Sequence, residues 1–198
     1  KDVMIFENLC HSCGGCFTIC PENAVIKKER SLGEIEHGSV NQISFIHGRL
    51  DVGEVMVPPI IKKVRSYTEP DSITIIDAPP GTSCPVIAAM NKANFILLVT
   101  EPTPFGLHDL KLAVKTVKSL GIVSGLIINR SGLGNDAVKA YANKEDLPIL
   151  MEIPFDQRIA QIYSNGQMIA DTLPGYKEKF QALFKKIVKL VTNGERNK

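Results

Sequence analysis

Short uninterrupted apolar runs alternate with longer amphipathic stretches over the last two thirds of the chain. Ile73-Thr74-Ile75-Ile76 is a continuous, largely β-branched run, the pattern of a strand buried on both faces of a parallel sheet. Residues 95–99 form a second run of this kind, followed by a helical pattern over 107–120 that closes near Gly121. A third strand is predicted over 125–128, with a helix over 136–144, and a fourth begins at 149–151 and ends at Pro154. Helices near 157–164 and 176–192 complete the pattern. The first part of the chain is less regular. Short strands are predicted over 3–6, 24–26 and 44–46, and Pro58 and Pro59 open a helix reaching about Tyr67, because proline is tolerated in a first helical turn. Strands that alternate with helices predict an α/β fold built on a parallel sheet.

Composition narrows this picture. A chain of 198 residues, 44% hydrophobic and 22% charged, can bury one full-sized core plus a small module. A net charge of +2 offers no acidic or basic field, so no nucleic-acid partner is expected. No apolar stretch is long enough to span a bilayer, and no secretory signal opens the chain. Five cysteines, four of them in one motif, fit a reducing cytoplasmic setting better than a disulfide scaffold. The chain opens at Lys1, close to a strand-like segment, and reads as the middle of a longer protein.

That motif is Cys10, Cys13, Cys16 and Cys20 followed by Pro21. The spacing C-x2-C-x2-C-x3-C-P is that of bacterial ferredoxins, in which three thiolates hold one iron–sulfur cluster and the fourth reaches a second. Gly14 and Gly15 allow a tight curl that aims sulfurs and backbone amides at one cluster. A structural zinc site is the alternative, but zinc modules space their paired cysteines well apart. The expected cofactor is therefore a 4Fe–4S cluster on Cys10, Cys13, Cys16 and Cys20. Cys84 is the one cysteine left, too few for a second cluster, so the partner run is expected outside the chain. Residues 1–30 are read as a half-ferredoxin module and 31–198 as a separate domain.

The run over 73–76 ends in Asp77-Ala78-Pro79-Pro80-Gly81-Thr82. A carboxylate at the C-terminal edge of a buried strand orients water around Mg2+, and a glycine shortly after it admits a phosphate close to the backbone. Taken alone, such an aspartate is more commonly a cap or turn residue. Together with Ser83-Cys84-Pro85, Thr100-Glu101-Pro102-Thr103-Pro104-Phe105-Gly106, Ile128-Asn129-Arg130 and Glu152-Ile153-Pro154-Phe155-Asp156, the segment resembles the MinD superfamily of P-loop ATPases that carry an inserted ferredoxin domain. The resemblance runs the length of the chain. It implies a P-loop NTPase-like sandwich with a small ferredoxin-like insertion at the N-terminal end of this chain. It makes Asp77 similar to the Walker B acid, Gly81 to the switch II glycine, Asn129 to the residue that hydrogen-bonds adenine, and Pro154 to a neighbour of the base. ATP or ADP with Mg2+ is the implied second cofactor.

One departure matters. A P-loop needs a glycine-rich loop with Gly-Lys-Ser/Thr, and no Gly-Lys dipeptide occurs here. By the resemblance, that loop and the first cysteine run precede this stretch. As given, the chain is not expected to hydrolyse ATP, and no residue in it is assigned a catalytic role. Cys84 is read as a small buried or partner-facing thiol or, by looser likeness to nitrogenase iron proteins, a redox-linked one at a dimer face. Glu101, Thr103 and Phe105 are placed at the nucleotide edge or an interface, and His11 and His108 are read as non-ligands. The stripe Tyr176, Phe180, Leu183, Phe184, Ile187, Val188 and Val191 with its flanking lysines is basic and amphipathic. Packing on its own domain is favoured for it over a membrane surface. The expected function is coupling of ATP binding and hydrolysis to electron transfer or cluster delivery, in a homodimer that serves a redox partner or an iron–sulfur client protein. The rival is a non-enzymatic iron–sulfur electron carrier or assembly scaffold on a relic ATPase fold, and a positioning protein of the partition type is a weaker third.

Overall fold

The computed structural model describes Phe6, Cys10 and residues 13–196. The strand expected over 3–6 lies outside these apart from Phe6, which belongs to no regular element, and His11 lies outside them altogether. The chain divides into two compact units, Lys1–Pro79 with Ser83–Ala89, and Pro80–Thr82 with Met90–Lys198.

The first unit carries α1 (Gly15–Thr18), β1 (Gly33–Val40), β2 (Ile43–Leu50), α2 (Val57–Arg65) and most of α3 (Cys84–Met90). β1 and β2 form an antiparallel hairpin, in register from Gly33 opposite Leu50 to Val40 opposite Ile43. Asn41 turns the chain at φ 53°, a left-handed conformation that asparagine tolerates better than most residues. One hairpin face is closed by α2. A Cβ at Gly48 would stand 2.6 Å from Ile60 Cγ1 and 3.2 Å from Val64 Cγ2, so only glycine lets the helix approach this closely. The opposite face carries cross-strand pairs at its base, Arg49–Glu34 at 2.7 Å and His47–Glu36 at 3.2 Å. Sequence pattern indicates only a strand over 44–46, because β1 mixes glycine, serine and charge and becomes a strand through its partner.

Two expected strands are absent. Residues 24–26 and 73–76 run without ladder partners among the described residues. Ile73 is 74% and Ile75 90% exposed, the reverse of the burial that their β-branched character predicts. A strand is a pairing, and composition supplies only half of it. The parallel sheet accordingly has three strands and not four.

That sheet belongs to the second unit, built from β3 (Ile96–Thr100), α4 (Pro104–Leu120), β4 (Ser124–Ser131), α5 (Ala137–Lys144), β5 (Ile149–Pro154), α6 (Gln157–Ser164), α7 (Ile169–Thr172) and α8 (Tyr176–Arg196). Its order is β3-β4-β5, all parallel. Side chains alternate across β4 as the pleat requires. Leu126 and Ile128 pack with Ile96 and Leu98 against Leu110, Val114 and Val117 of α4 and Val138 and Ala142 of α5. Ile127 packs on the other side with Leu150, Met151, Tyr176 and Leu183. The Thr103 hydroxyl caps α4 by accepting the Gly106 N–H at 3.0 Å, and Gly121 ends it at φ 65°.

The amphipathic C-terminal helix α8 packs on this unit through Tyr176, Phe180, Leu183, Ile187 and Leu190, while Phe184 and Val188 of the expected stripe stay exposed. Lys186 Nζ donates to the Leu150 carbonyl at 2.8 Å, so part of the basic flank is also used internally. Among the described residues no helix is long and apolar enough to cross a membrane.

Candidate functional site at the carboxyl edge of the parallel sheet

Parallel strands end together, and the crevice beyond their carboxyl ends is where open α/β sheets bind ligands. β3 ends at Thr100, whose hydroxyl donates to the Gly106 carbonyl at 2.8 Å and folds the loop back on the start of α4. A Cβ on Gly106 would collide with the Glu101 carbonyl, and one on Gly134, at φ 93°, with the Pro102 carbonyl. Gly106 therefore lets the start of α4 fold tightly on the end of β3, and Gly134 lets the loop after β4 pack against the loop after β3.

Asn129 lies in β4 and is partly buried. Its side-chain amide makes no hydrogen bond among the described residues, leaving donors and acceptor available to a ligand. Arg130 follows in the left-handed region at φ 51°, where a non-glycine residue is worth a functional look. Its guanidinium reaches back to β3, with Nε 3.4 Å from Glu101 Oε1. Pro154 ends β5 opposite Ser131 of β4, and the Phe155 N–H donates to the Ser131 carbonyl at 3.1 Å. Asp156 then caps α6, accepting the Arg158 N–H at 2.9 Å and pairing with the Arg158 guanidinium at 2.6 Å. The Arg158 side chain, followed by its backbone N–H, holds the Asp156 carboxyl below the usual carboxylate range.

The structure thus brings Asn129 and Pro154 to one end of one sheet, with Glu101 nearby on β3's exit. Asp77 belongs to the first unit and lies in an exposed segment outside any regular element. Gly81 belongs to the second unit. It has φ 92° and open space where a Cβ would be, so conformation and not crowding demands glycine there. The Glu101–Arg130 pair and the Asp156–Arg158 cap escape motif reading. Their one signal in the sequence is a charged residue of opposite sign at or near the ends of β3, β4 and β5.

The cysteine segment forms a turn and not a closed ligand set. Gly14 takes φ 77° and leads into the single turn of α1. The Ala24 N–H approaches Cys20 Sγ at 3.4 Å, the type of contact that stabilises a thiolate ligand. Cys10, Cys13, Cys16, Cys20 and Cys84 are free thiols. Among the described residues no group of three or more His, Cys, Asp or Glu side chains stands together as a metal site. The donor set suits iron or zinc in kind: four thiols in one short segment, one of them already accepting a backbone amide.

No protein-family profile matches this chain. An uncharacterised protein of Methanocaldococcus jannaschii is 32% identical over 169 residues, covering 84% of this chain and 58% of the relative. A second uncharacterised protein of that organism is 27% identical over 220 residues, covering 96% of this chain and 76% of the relative. The chain therefore spans less than two thirds of the first relative's length. Among solved structures, the cell division ATPase MinD of Pyrococcus furiosus superposes with a TM-score of 0.51 at 27% identity, over 68% of this chain and 57% of that one. The MinD cell division protein of Aquifex aeolicus gives 0.52 at 17% identity, over 67% and 61%.

Proposed function

We infer a function for this α/β chain from the likeness of its three-stranded parallel sheet to MinD cell-division ATPases. We propose that the chain is part of a MinD-type ATPase that couples adenine-nucleotide binding to an iron–sulfur module. The reading rests above all on the unpartnered Asn129 amide at the carboxyl edge of the sheet, with Pro154 ending the neighbouring strand. In it, Asn129 reads the adenine edge through paired donor and acceptor, and Pro154 packs beside the base. Gly81 gives its backbone N–H to a terminal phosphate, and Asp77 is taken separately, on the resemblance alone, as an orienter of Mg2+-bound water. The phosphate-cradling lysine comes from a chain segment beyond these residues.

Residues 1–30 are the module in this proposal and 31–198 the nucleotide domain. Cys10, Cys13, Cys16 and Cys20 would hold iron, the Ala24 amide tuning Cys20 through its N–H···S contact. A 4Fe–4S cluster held there supplies a one-electron couple or a deliverable cluster. The homodimer and a redox or client partner belong to the same proposal, as does a cytoplasmic setting.

Two measurements test it on the native polypeptide that contains these residues. Equilibrium dialysis with labelled ATP and Mg2+ is expected to show saturable binding that Asn129→Ala weakens about tenfold, or roughly 1.4 kcal/mol. Binding untouched by Asn129→Ala, or no binding, would overturn the nucleotide half. Iron and sulfide analysis after anaerobic purification should find both, with Cys13→Ser lowering both. Zinc in their place would refute the cluster half. Iron without nucleotide binding would leave the electron carrier or scaffold as the reading.

A further inference from the structure

α4 and α5 run side by side on one face of the sheet, and a groove of about 710 Å³ lies between them. Each helix addresses it at helical spacing. Leu107, Lys111, Val114, Lys115 and Lys118 come from α4, and Ala137, Ala140, Tyr141 and Lys144 from α5. Leu107, Val114 and the two alanines give an apolar floor, the alanines leaving the space that larger side chains would fill. Four lysines stand on the rim against one acid, Glu145.

That acid is already committed. Lys118 Nζ lies 2.6 Å from Glu145 Oε2, and the Lys118 contact, with Lys144 adding a smaller pull, holds the Glu145 carboxyl below its ordinary range. Lys111 rests over the Tyr141 ring at 5.8 Å. Among the described residues Lys111, Lys115 and Lys144 form no ion pair. Asp146 adds only a weaker pull on Lys118, and since the whole chain carries only +2, the lysines here are a local excess of positive charge and not a share of a general field.

We propose that the α4–α5 groove docks an amphipathic acidic helix of a partner protein. A helix laid along the groove from Leu107 to Lys118 would cover about three turns, or ~16 Å. Its apolar side chains at i, i+3, i+4 and i+7 meet the floor, and its carboxylates meet Lys111, Lys115 and Lys144. Charge complementarity selects the acid, and the apolar floor selects the helix. A bilayer surface or a duplex backbone presents its phosphates without the apolar ridge that a concave floor requires. The groove lies outside the proposed nucleotide site, so this inference stands or falls separately from that reading.

The test is fluorescence anisotropy of the intact chain with a labelled sixteen-residue peptide (about four turns) carrying glutamates on one face and leucines on the other. Saturable binding is expected, weakening steeply with added salt and falling at least tenfold for the scrambled peptide of the same composition. Lys115→Glu with Lys144→Glu should reduce affinity at least tenfold, and Lys115→Gln with Lys144→Gln by a smaller factor. Both positions are exposed, so unchanged circular dichroism is expected in each variant. Equal binding of peptide and scramble, or indifference to both double variants, would overturn the proposal. Stronger, lysine-dependent binding of duplex DNA or of phosphatidylglycerol vesicles would replace the acidic helix with that ligand and refute it equally.

Discussion

Arg130 and Gly134 show how single residues shape the ligand edge of the sheet. Arg130 is held in the left-handed region while its guanidinium spans to Glu101, so the ion pair bridges the exits of β4 and β3. Both groups are about half exposed, and such pairs contribute little to stability. Glu101→Gln is accordingly expected to leave the urea midpoint nearly unchanged while altering nucleotide affinity, which paired denaturation and dialysis would check. Gly134 is different. Its φ of 93° and the Pro102 carbonyl facing its missing Cβ predict that Gly134→Ala costs more than about 1 kcal/mol, read as a lowered urea midpoint. Asp156 gives a pH prediction. Its folded carboxyl is held low by Arg158, so its contribution is present above the unfolded value near ~3.9 and is lost as pH falls through the lower folded value. Arg158→Ala should raise that carboxyl toward the ordinary range in a carbon-13 NMR titration; no movement would mean the pair is not formed in solution.

At the scale of elements, the longer helices and the three paired strands follow their sequence patterns, although α4 starts and β4 ends three residues beyond theirs, and the short helices α1, α3 and α7 have no counterpart in the pattern. α4 begins where Thr103 can cap and Pro104 can start a turn, and ends where Gly121 can adopt φ 65°. α5, β5 and α6 fall within a residue or two of their patterns. The segment over 73–76 is the instructive exception. Its apolar β-branched run is that of a buried strand, yet no neighbour pairs with it among the described residues and its side chains face solvent. Hydrogen exchange should therefore be fast at residues 73–76 and slow at 125–128, where β4 is hydrogen-bonded on both sides. Protection over 73–76 equal to that of β4 would mean that this segment has a strand partner. α8 makes the opposite point. Its basic stripe favours packing on its own domain over a membrane surface, and Leu183 is accordingly 7% exposed and packed with Met151 and Tyr176. Leu183→Ala is expected to destabilise the second unit by about 2–4 kcal/mol, measured by urea unfolding.

For the whole molecule, stability is unevenly shared. Apart from Val86 and Ala89, the buried hydrophobic residues described all belong to the second unit. The hairpin unit leaves Val40, Ile43 and Phe45 more than half exposed, with few fully buried side chains to hold it. Two-step unfolding is the expected consequence, with the first unit's amides losing protection at lower denaturant than those of β4.

The sequence by itself determined the α/β class, the five longer helices, three parallel strands out of the four expected, the cysteine spacing and the loops at which ligands are sought. Each is a local property: periodicity, a cap, a turn residue or a donor set read within a few residues. Tertiary structure alone decided that 33–40 pairs with 43–50, that 73–76 stays unpaired, that Glu101 meets Arg130 across two strands, and which part of its stripe α8 packs on the sheet. It also decided that four lysines and an apolar floor share one groove. Those outcomes depend on which distant residues become neighbours, and a pattern along the chain carries only one side of every such contact.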